Sequence, residues 1–240
     1  MKQNPSYKRV LLKISGEALM SYDHFGLDHN ACHALATSIK EAKDTGIQMG
    51  VVVGGGNIFR GSLATEFHFE RTPADHVGML ATCINGLVLQ QSLHTLGCKS
   101  KVMSALPLSG IVEDYSWLKA NEYLEEGLVV IFVGGTGNPY FTTDTAAALR
   151  ASEIKANVLL KGTKVDGIYD KDPMKNKDAK KYRTLTYSQA LMEHLHVMDA
   201  TAIALCRENN IPIYVFNLLK KGSIINAIHQ TNDGSLVKGE

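Results

Sequence analysis

A run of β-branched residues that stops abruptly in three glycines, Val51-Val52-Val53-Gly54-Gly55-Gly56-Asn57-Ile58-Phe59-Arg60-Gly61, limits what this chain can become more than any other stretch. Successive valines suit a strand covered on both faces, as in the middle of a parallel sheet. Glycine has no Cβ, so the following backbone can approach a ligand closely and aim its N–H groups at it. An anion is the natural guest, with Arg60 as a nearby cation, although three glycines serve equally well as a tight strand-to-helix corner. The design recurs, because the wholly apolar Leu128 to Val133 opens into Gly134-Gly135-Thr136-Gly137-Asn138-Pro139.

The rest of the chain supplies partners for these strands. Lys8 to Ile14 reads as a first strand ended by Ser15-Gly16-Glu17, with Lys13 at its carboxyl end, where open α/β sheets bind ligands. A lone strand-end lysine is otherwise a solvated charge. Asp28 is placed to cap a helix with Cys32, Leu35, Ala36 and Ile39 on one face, and the resulting strand-helix-strand unit requires a parallel pair with a right-handed crossover. Ser62 to Arg71 reads as a loop or short helix. Thr72, Pro73 and Asp75 fit the N-cap, N1 and N3 positions of a long helix with apolar Leu80, Ile84, Leu87 and Val88, so Asp75 has an ordinary role as a helix-start carboxylate.

Lys101 to Met103 suggests a short strand, Leu106 to Val112 an apolar loop or hairpin, and Ser116 to Glu126 a helix. After the second glycine junction, Thr142 or Thr143 would cap the Ala-rich helix Thr145 to Ser152, leaving N–H groups and hydroxyls for a phosphate. Asn157 to Leu160 reads as a strand ending at Lys161. Lys161 to Pro173 is turn-rich, and Met174 to Lys181 is polar enough for a solvated loop. Thr186 to Leu191 and Asp199 to Glu208 read as helices, Ile213 to Phe216 as a strand, Ile224 to His229 as a helix and Ser235 to Lys238 as a last edge strand. No repeat or linker interrupts this series, and one domain over residues 1–240 is expected.

Composition narrows the partners. Of 240 residues 45% are hydrophobic and 20% charged, and 25 Lys plus Arg balance 24 Asp plus Glu, so nothing global points to nucleic acid or a membrane. Any attraction for an anion must be local. Cys32, Cys83, Cys98 and Cys206 are widely spaced without a zinc pattern and look like small core residues. The first residues, Met1 to Tyr7, lack a signal-peptide pattern, and no run of about 18 apolar residues could span a bilayer. A reducing cytoplasm is the expected setting.

In a parallel sheet the strand ends near Lys13, Gly54 and Gly134 open at one edge, gathering two anion-friendly loops with the cations Lys13, Arg60 and Lys161 and the carboxylates Asp75 and Asp144. That inventory suits phosphoryl transfer, where catalysis is mainly positioning and charge neutralisation. The familiar nucleotide motifs are missing: there is no Gly-Lys pair for a P-loop, no closing glycine of a dinucleotide fingerprint, and no His-Arg-Asp or Asp-Phe-Gly.

The segments Leu12 to Ala18, Gly54 to Gly61, Asp75 to Thr82, Gly135 to Asp144, Lys161 to Gly167 and Val197 to Asp199 resemble, in order, those of the amino acid kinase superfamily, closest to its UMP-phosphorylating branch. The resemblance covers almost the whole chain. It implies a three-layer αβα sandwich around a mainly parallel sheet, transferring the γ-phosphate of MgATP to UMP in pyrimidine nucleotide synthesis. It also implies Lys13, Asp144 and Lys161 as catalytic residues, with Asp144 organising the lysines or the metal, and Asp199 as a weaker candidate. The ATP side would comprise Lys13, Ile14, Ser15, Gly16, Gly56, Arg60, Thr163, Tyr169 and Asp172. The UMP side would comprise Gly55, Asp75 and the run Thr136, Gly137, Asn138, Pro139, Tyr140, Phe141, Thr142 and Thr143.

The Mg2+ would come with ATP, no protein metal ligands are assigned, and a homohexamer is implied. Two other readings stay open: a relative acting on a carboxylate or carbamate, and a nucleotide-binding regulator without catalysis. The chain departs from the superfamily pattern at Ser21 to Gly26, where a Gly-Phe-Gly approach is usual, and at Gln90, Lys101 and Leu128, where arginines often serve an effector GTP.

Overall fold

The computed structural model describes residues 7–20, 25–193, 195, 197–229 and 233–239. Met1 to Ser6, and Ser21 to His24 of the departing segment, lie outside the described residues.

The chain alternates strand and helix as its glycine junctions suggest. Strand β1 (Arg9–Ile14) ends in a 3-10 turn, Gly16–Leu19, followed by α1 (His29–Lys43) and β2 (Gln48–Val53). Asp28 caps α1 by accepting from the Ala31 amide at 2.8 Å. Short α2 (Gly61–Glu66) leads to α3 (Arg71–Thr95), β3 (Ser100–Ser104), β4 (Glu113–Asp114), α4 (Trp117–Glu125), β5 (Val129–Val133) and α5 (Thr143–Glu153). The chain continues through β6 (Val158–Thr163), β7 (Ile168–Tyr169), β8 (Lys181–Tyr182), β9 (Thr184–Thr186), α6 (Tyr187–Met192), α7 (Ala200–Glu208), β10 (Ile213–Asn217), α8 (Ser223–Ile228) and β11 (Ser235–Lys238).

Nine strands form one sheet in the order β4-β3-β5-β2-β1-β6-β10-β11-β9, and only the β10–β11 pair is antiparallel. Along β1 side chains alternate between two cores. Val10, Leu12 and Ile14 face a layer with residues of α1, α3 and α8, whereas Leu11 faces one with residues of α4, α5, α6 and α7. The result is a mostly parallel sheet between two helical layers.

Several details depart from the sequence reading. Helix α3 starts at Arg71 behind Glu70, which makes no side-chain cap, so Thr72 is not the N-cap and Asp75 lies beyond the first turn. Leu80 and Ile84 are 45% and 46% exposed and do not form the core face of α3. Small residues let the other side of that helix lie close to the sheet: a Cβ on Gly86 would meet Val133 Cγ1 at 2.3 Å. Leu106 to Val112 makes no hairpin, because β4 runs parallel to β3. Lys181 leaves the expected loop to pair with β7, and β11 is covered by β9 instead of being an edge.

Candidate active site

Lys13 and Lys161 are register partners on the adjacent parallel strands β1 and β6, so their side chains leave the same face. Two ammonium groups so placed need an anion. Asp144, in the first turn of α5, supplies it, with Oδ1 at 2.7 Å from Lys13 Nζ and Oδ2 at 2.7 Å from Lys161 Nζ. Lys161 Nζ also donates to the Val197 carbonyl at 2.5 Å. The three side chains are only 13% to 14% exposed.

Burial alone would raise the Asp144 pKa, but the ammonium groups of Lys13 and Lys161 outweigh it and hold the carboxyl below its ordinary 3.8. For Lys161 burial wins: with Lys13 nearby, it pulls the ammonium below its usual 10.5 despite Asp144. The stability that Asp144 contributes is therefore complete above pH 3.8 and is lost as pH falls through its lower folded value. The cost of burying charged Lys161 is present at neutral pH and eases as pH rises through its folded value. If turnover requires charged Lys161, kcat/KM should decline on the alkaline side at a pH below 10.5. A pH–rate profile checks this, and a plateau extending past that value would contradict it.

The N-terminus of α5 is held by a small network. Thr142 is the N-cap, accepting from the Asp144 and Thr145 amides at 3.1 and 3.3 Å. Asp199 accepts from the Thr142 and Thr145 hydroxyls while capping α7 through the Ala202 amide. It thereby ties together the starts of α5 and α7 without touching either lysine's nitrogen.

Two clefts open beside the cluster. The first, about 620 Å3, is lined by Gly55, Gly56, Asp75, Gly135, Asn138, Phe141, Thr142 and Thr143, with Met79 and Thr82 from α3. The second, about 330 Å3, is lined by Lys13, Ser15, Glu17, Lys161, Thr163, Lys164, Val165 and Leu218. Both volumes fall in the range of small-molecule sites.

The glycines differ in what they do. A Cβ on Gly16 would lie 2.2 Å from Asn57 Oδ1 and 2.6 Å from the Gly54 carbonyl, whereas Gly56 has nothing within 4 Å. Gly16 thus allows close approach of the turn after β1 to the Gly54 loop, and Gly56 presents open backbone. Gly134, Gly135 and Gly137 have φ of 75°, 61° and 83°, the left-handed region that glycine tolerates. The Thr82 hydroxyl accepts from the Gly134 amide at 2.8 Å, fixing the second junction against α3.

The other expected residues fall as follows. Ile14 is fully buried, and its carbonyl accepts from the Gly54 amide at 2.9 Å. Ser15 caps the 3-10 turn. Arg60 donates to the Gly56 carbonyl at 2.9 Å and pairs with Glu17 at 3.0 Å. Asp75 accepts from Arg71 Nε and from the Tyr140 amide, both at 2.7 Å, which orders the loop after the second glycine junction, where Tyr140 adopts φ 72°. Thr136 accepts from the Asn138 amide at 3.2 Å, next to Gly137 and the half-buried Pro139. Tyr169 and Asp172 do not line the second cleft: Tyr169 donates to Asp166 at 2.6 Å, and Asp172 accepts from the Met174 amide at 2.9 Å.

Sequence reasoning missed one buried pair. Asn57 and Asn85 are fully buried, and the Asn85 amide donates to Asn57 at 2.7 Å and to the Gly54 carbonyl at 2.6 Å. Asn57 in turn donates to the Gly26 carbonyl at 2.8 Å. A polar residue amid the apolar middle of α3 was the available signal for Asn85.

Comparison with known proteins agrees with the fold. The model of the amino acid kinase family matches residues 8–217. A uridylate kinase of Protochlamydia amoebophila is 61% identical over 211 residues, covering 88% of this chain and 84% of that protein. One from Alcanivorax borkumensis is 48% identical, covering 99% of this chain and 94% of its own. The crystal structure of UMP kinase from Ureaplasma parvum superposes with a TM-score of 0.92 at 41% identity, covering 96% of this chain and 98% of its own. That of UMP kinase from Bacillus anthracis gives 0.95 at 37% identity, with 98% and 97% covered. The match extends over nearly the whole sheet and both helical layers, and this chain belongs to the amino acid kinase family.

Proposed function

We propose that this chain transfers the γ-phosphate of MgATP to UMP, giving UDP and ADP for pyrimidine nucleotide synthesis, with residues 1–240 acting as one domain. The observation that carries this reading is the Lys13–Asp144–Lys161 cluster standing beside two nucleotide-sized clefts at one sheet edge. The second cleft takes the ATP, using Lys13, Ile14, Ser15, Gly16, Gly56, Arg60 and Thr163, whereas Tyr169 and Asp172 stand outside its lining. The first takes UMP against Gly55, Asp75 and Thr136 to Thr143. The names of the relatives support uracil as the acceptor base.

A nucleoside monophosphate is already largely dianionic at neutral pH, since the second phosphate pKa is about 6. Its attacking oxygen has little proton to lose, so the site needs cations more than a base. Lys13 and Lys161 supply them, and Asp144 holds both in place. Among the described residues no three His, Cys, Asp or Glu side chains converge on a metal position, and Asp144 already faces two ammonium groups. These residues fit Mg2+ entering as part of the MgATP substrate, bound chiefly by its phosphates and spreading their charge.

A homo-oligomer, a hexamer by the family resemblance, belongs to this reading. Val77, Leu80 and Ile84, at helical spacing on α3, are 37%, 45% and 46% exposed and form an apolar row suited to a second copy. Among the described residues no helix is long and apolar enough to cross a membrane, and the four cysteines are free thiols, which supports a reducing cytoplasm as the setting.

A coupled assay of ADP release tests the function with UMP, CMP, carbamate and N-acetylglutamate. Turnover with UMP and little with the others supports the reading. Release only with an acid acceptor, or nucleotide binding without turnover, overturns it. In the same assay Asp75→Asn should raise the KM for UMP roughly tenfold or more, the scale of a charged hydrogen bond, with a smaller change in kcat. An unchanged KM would remove Asp75 from the acceptor site.

A further inference from the structure

Glu17 is the one carboxylate among the described residues whose recorded ion pairs join the Gly54 loop to the donor-cleft wall. Its Oε1 lies 3.0 Å from Arg60 Nη2, and its Oε2 lies 2.7 Å from Lys164 Nζ. Arg60 belongs to the glycine loop beside the acceptor cleft, whereas Glu17 and Lys164 both line the donor cleft. The position of Glu17 is fixed by the glycine before it, because the bare Gly16 backbone lies against Asn57 and the Gly54 carbonyl. Both ion pairs are exposed, with side-chain accessibilities of 29% for Glu17, 42% for Arg60 and 63% for Lys164. Exposed pairs are cheap to break, and a phosphate that takes both cations binds an arginine fork at least as well as a carboxylate does.

We propose that Glu17 is a placeholder for nucleotide phosphate: its carboxylate holds Arg60 and Lys164 at the mouth of the two clefts, and yields them to the donor's phosphates on binding. Glu17 acts through these cations and is a positioning residue. The exchange keeps the cations aimed while the cleft is empty, and returns them to Glu17 when the product nucleotide leaves. A carboxylate beside a polyphosphate also repels it, so Glu17 weakens the ground-state grip on the nucleotide and favours release. Since binding that is uniform between ground and transition states does not raise kcat, such weakening costs nothing in the chemical step.

This inference rests on the donor-cleft reading above, but not on the identity of the acceptor. The test is calorimetric titration of the full-length protein with ADP, for the unaltered chain, Glu17→Gln and Glu17→Asp. Glu17→Gln should bind ADP roughly three- to tenfold more tightly, the scale of two exposed ion pairs, while Glu17→Asp stays near the unaltered protein. Lys164→Gln should shift affinity the opposite way, which keeps the test decisive should a Glu17 variant fail to fold. In steady state Glu17→Gln should lower the KM for ATP. Unchanged or weaker ADP binding by Glu17→Gln overturns the proposal, as does a lack of ADP binding by the unaltered chain. If ADP binding tightens as expected but UMP is not turned over, Glu17 keeps this role and the acceptor assignment fails.

Discussion

Lys13→Ala should lower kcat by about 100-fold or more while costing less stability than the loss of Asp144. The kinetic part follows from charge. The transferred phosphoryl group is stabilised by cations placed before the reaction begins, and removing one such electrostatic stabiliser costs about 100- to 1,000-fold. Lys13 enters the site from a strand whose flanking residues Leu12 and Ile14 are fully buried, so its base cannot shift to compensate. The stability part follows from the same geometry. The cluster holds two cations and one carboxylate, and without Lys13 the remaining Lys161–Asp144 pair at 2.7 Å is balanced. Losing Lys13 takes from Asp144 Oδ1 its ion-pair partner but relieves the repulsion between the two ammonium groups, so the net loss is smaller than that for removing Asp144, which leaves both cations unpaired. Steady-state kinetics and urea unfolding of one preparation check both parts. Near-normal turnover would remove Lys13 from the mechanism, and a large loss of stability would mean that it holds the fold.

The sequence made the parallel sheet legible because the two valine-to-glycine junctions could belong to little else. The two junctions are the ends of β2 and β5, whose buried runs open into the loops lining the first cleft. What stayed hidden depended on pairing. That Lys13 and Lys161 lie side by side is a fact of the β1–β6 register, and two strands almost 150 residues apart in sequence do not reveal which residues oppose each other. Strand β9 has three residues, too few for a period, so β11 looked like an edge. Helix α3 misled for a related reason. Its apolar residues occupy more than one face, and the sheet takes the side rich in small residues, leaving Leu80 and Ile84 outside. Spacing offers Asp75 a helix-start role beside the acceptor role that the family resemblance implies, but the helix begins at Arg71 and Asp75 holds the Tyr140 amide. No local pattern announces a contact between residues so far apart.

Asp144→Asn should be the most destabilising of these changes, costing on the order of 3–5 kcal/mol at neutral pH, the scale for removing one partner of a buried ion pair. The substitution keeps the shape and deletes the charge between Lys13 and Lys161, leaving two ammonium groups only 13% and 14% exposed to repel each other. Burial already favours the neutral form of Lys161, and losing the Asp144 attraction pushes further in that direction. The deficit relative to the unaltered protein should therefore shrink as pH rises and Lys161 sheds its proton. A second consequence separates electrostatics from packing. Donor phosphate brings back the missing negative charge, so MgATP should raise the melting temperature of Asp144→Asn more than that of the unaltered chain. Thermal unfolding of both proteins with and without MgATP, at neutral and alkaline pH, reads out the two effects. Equal ligand responses and a pH-independent deficit would mean that Asp144 serves α5 as a helix-start residue, and the cation-holding role would then pass to the Val197 carbonyl, which already accepts from Lys161 at 2.5 Å.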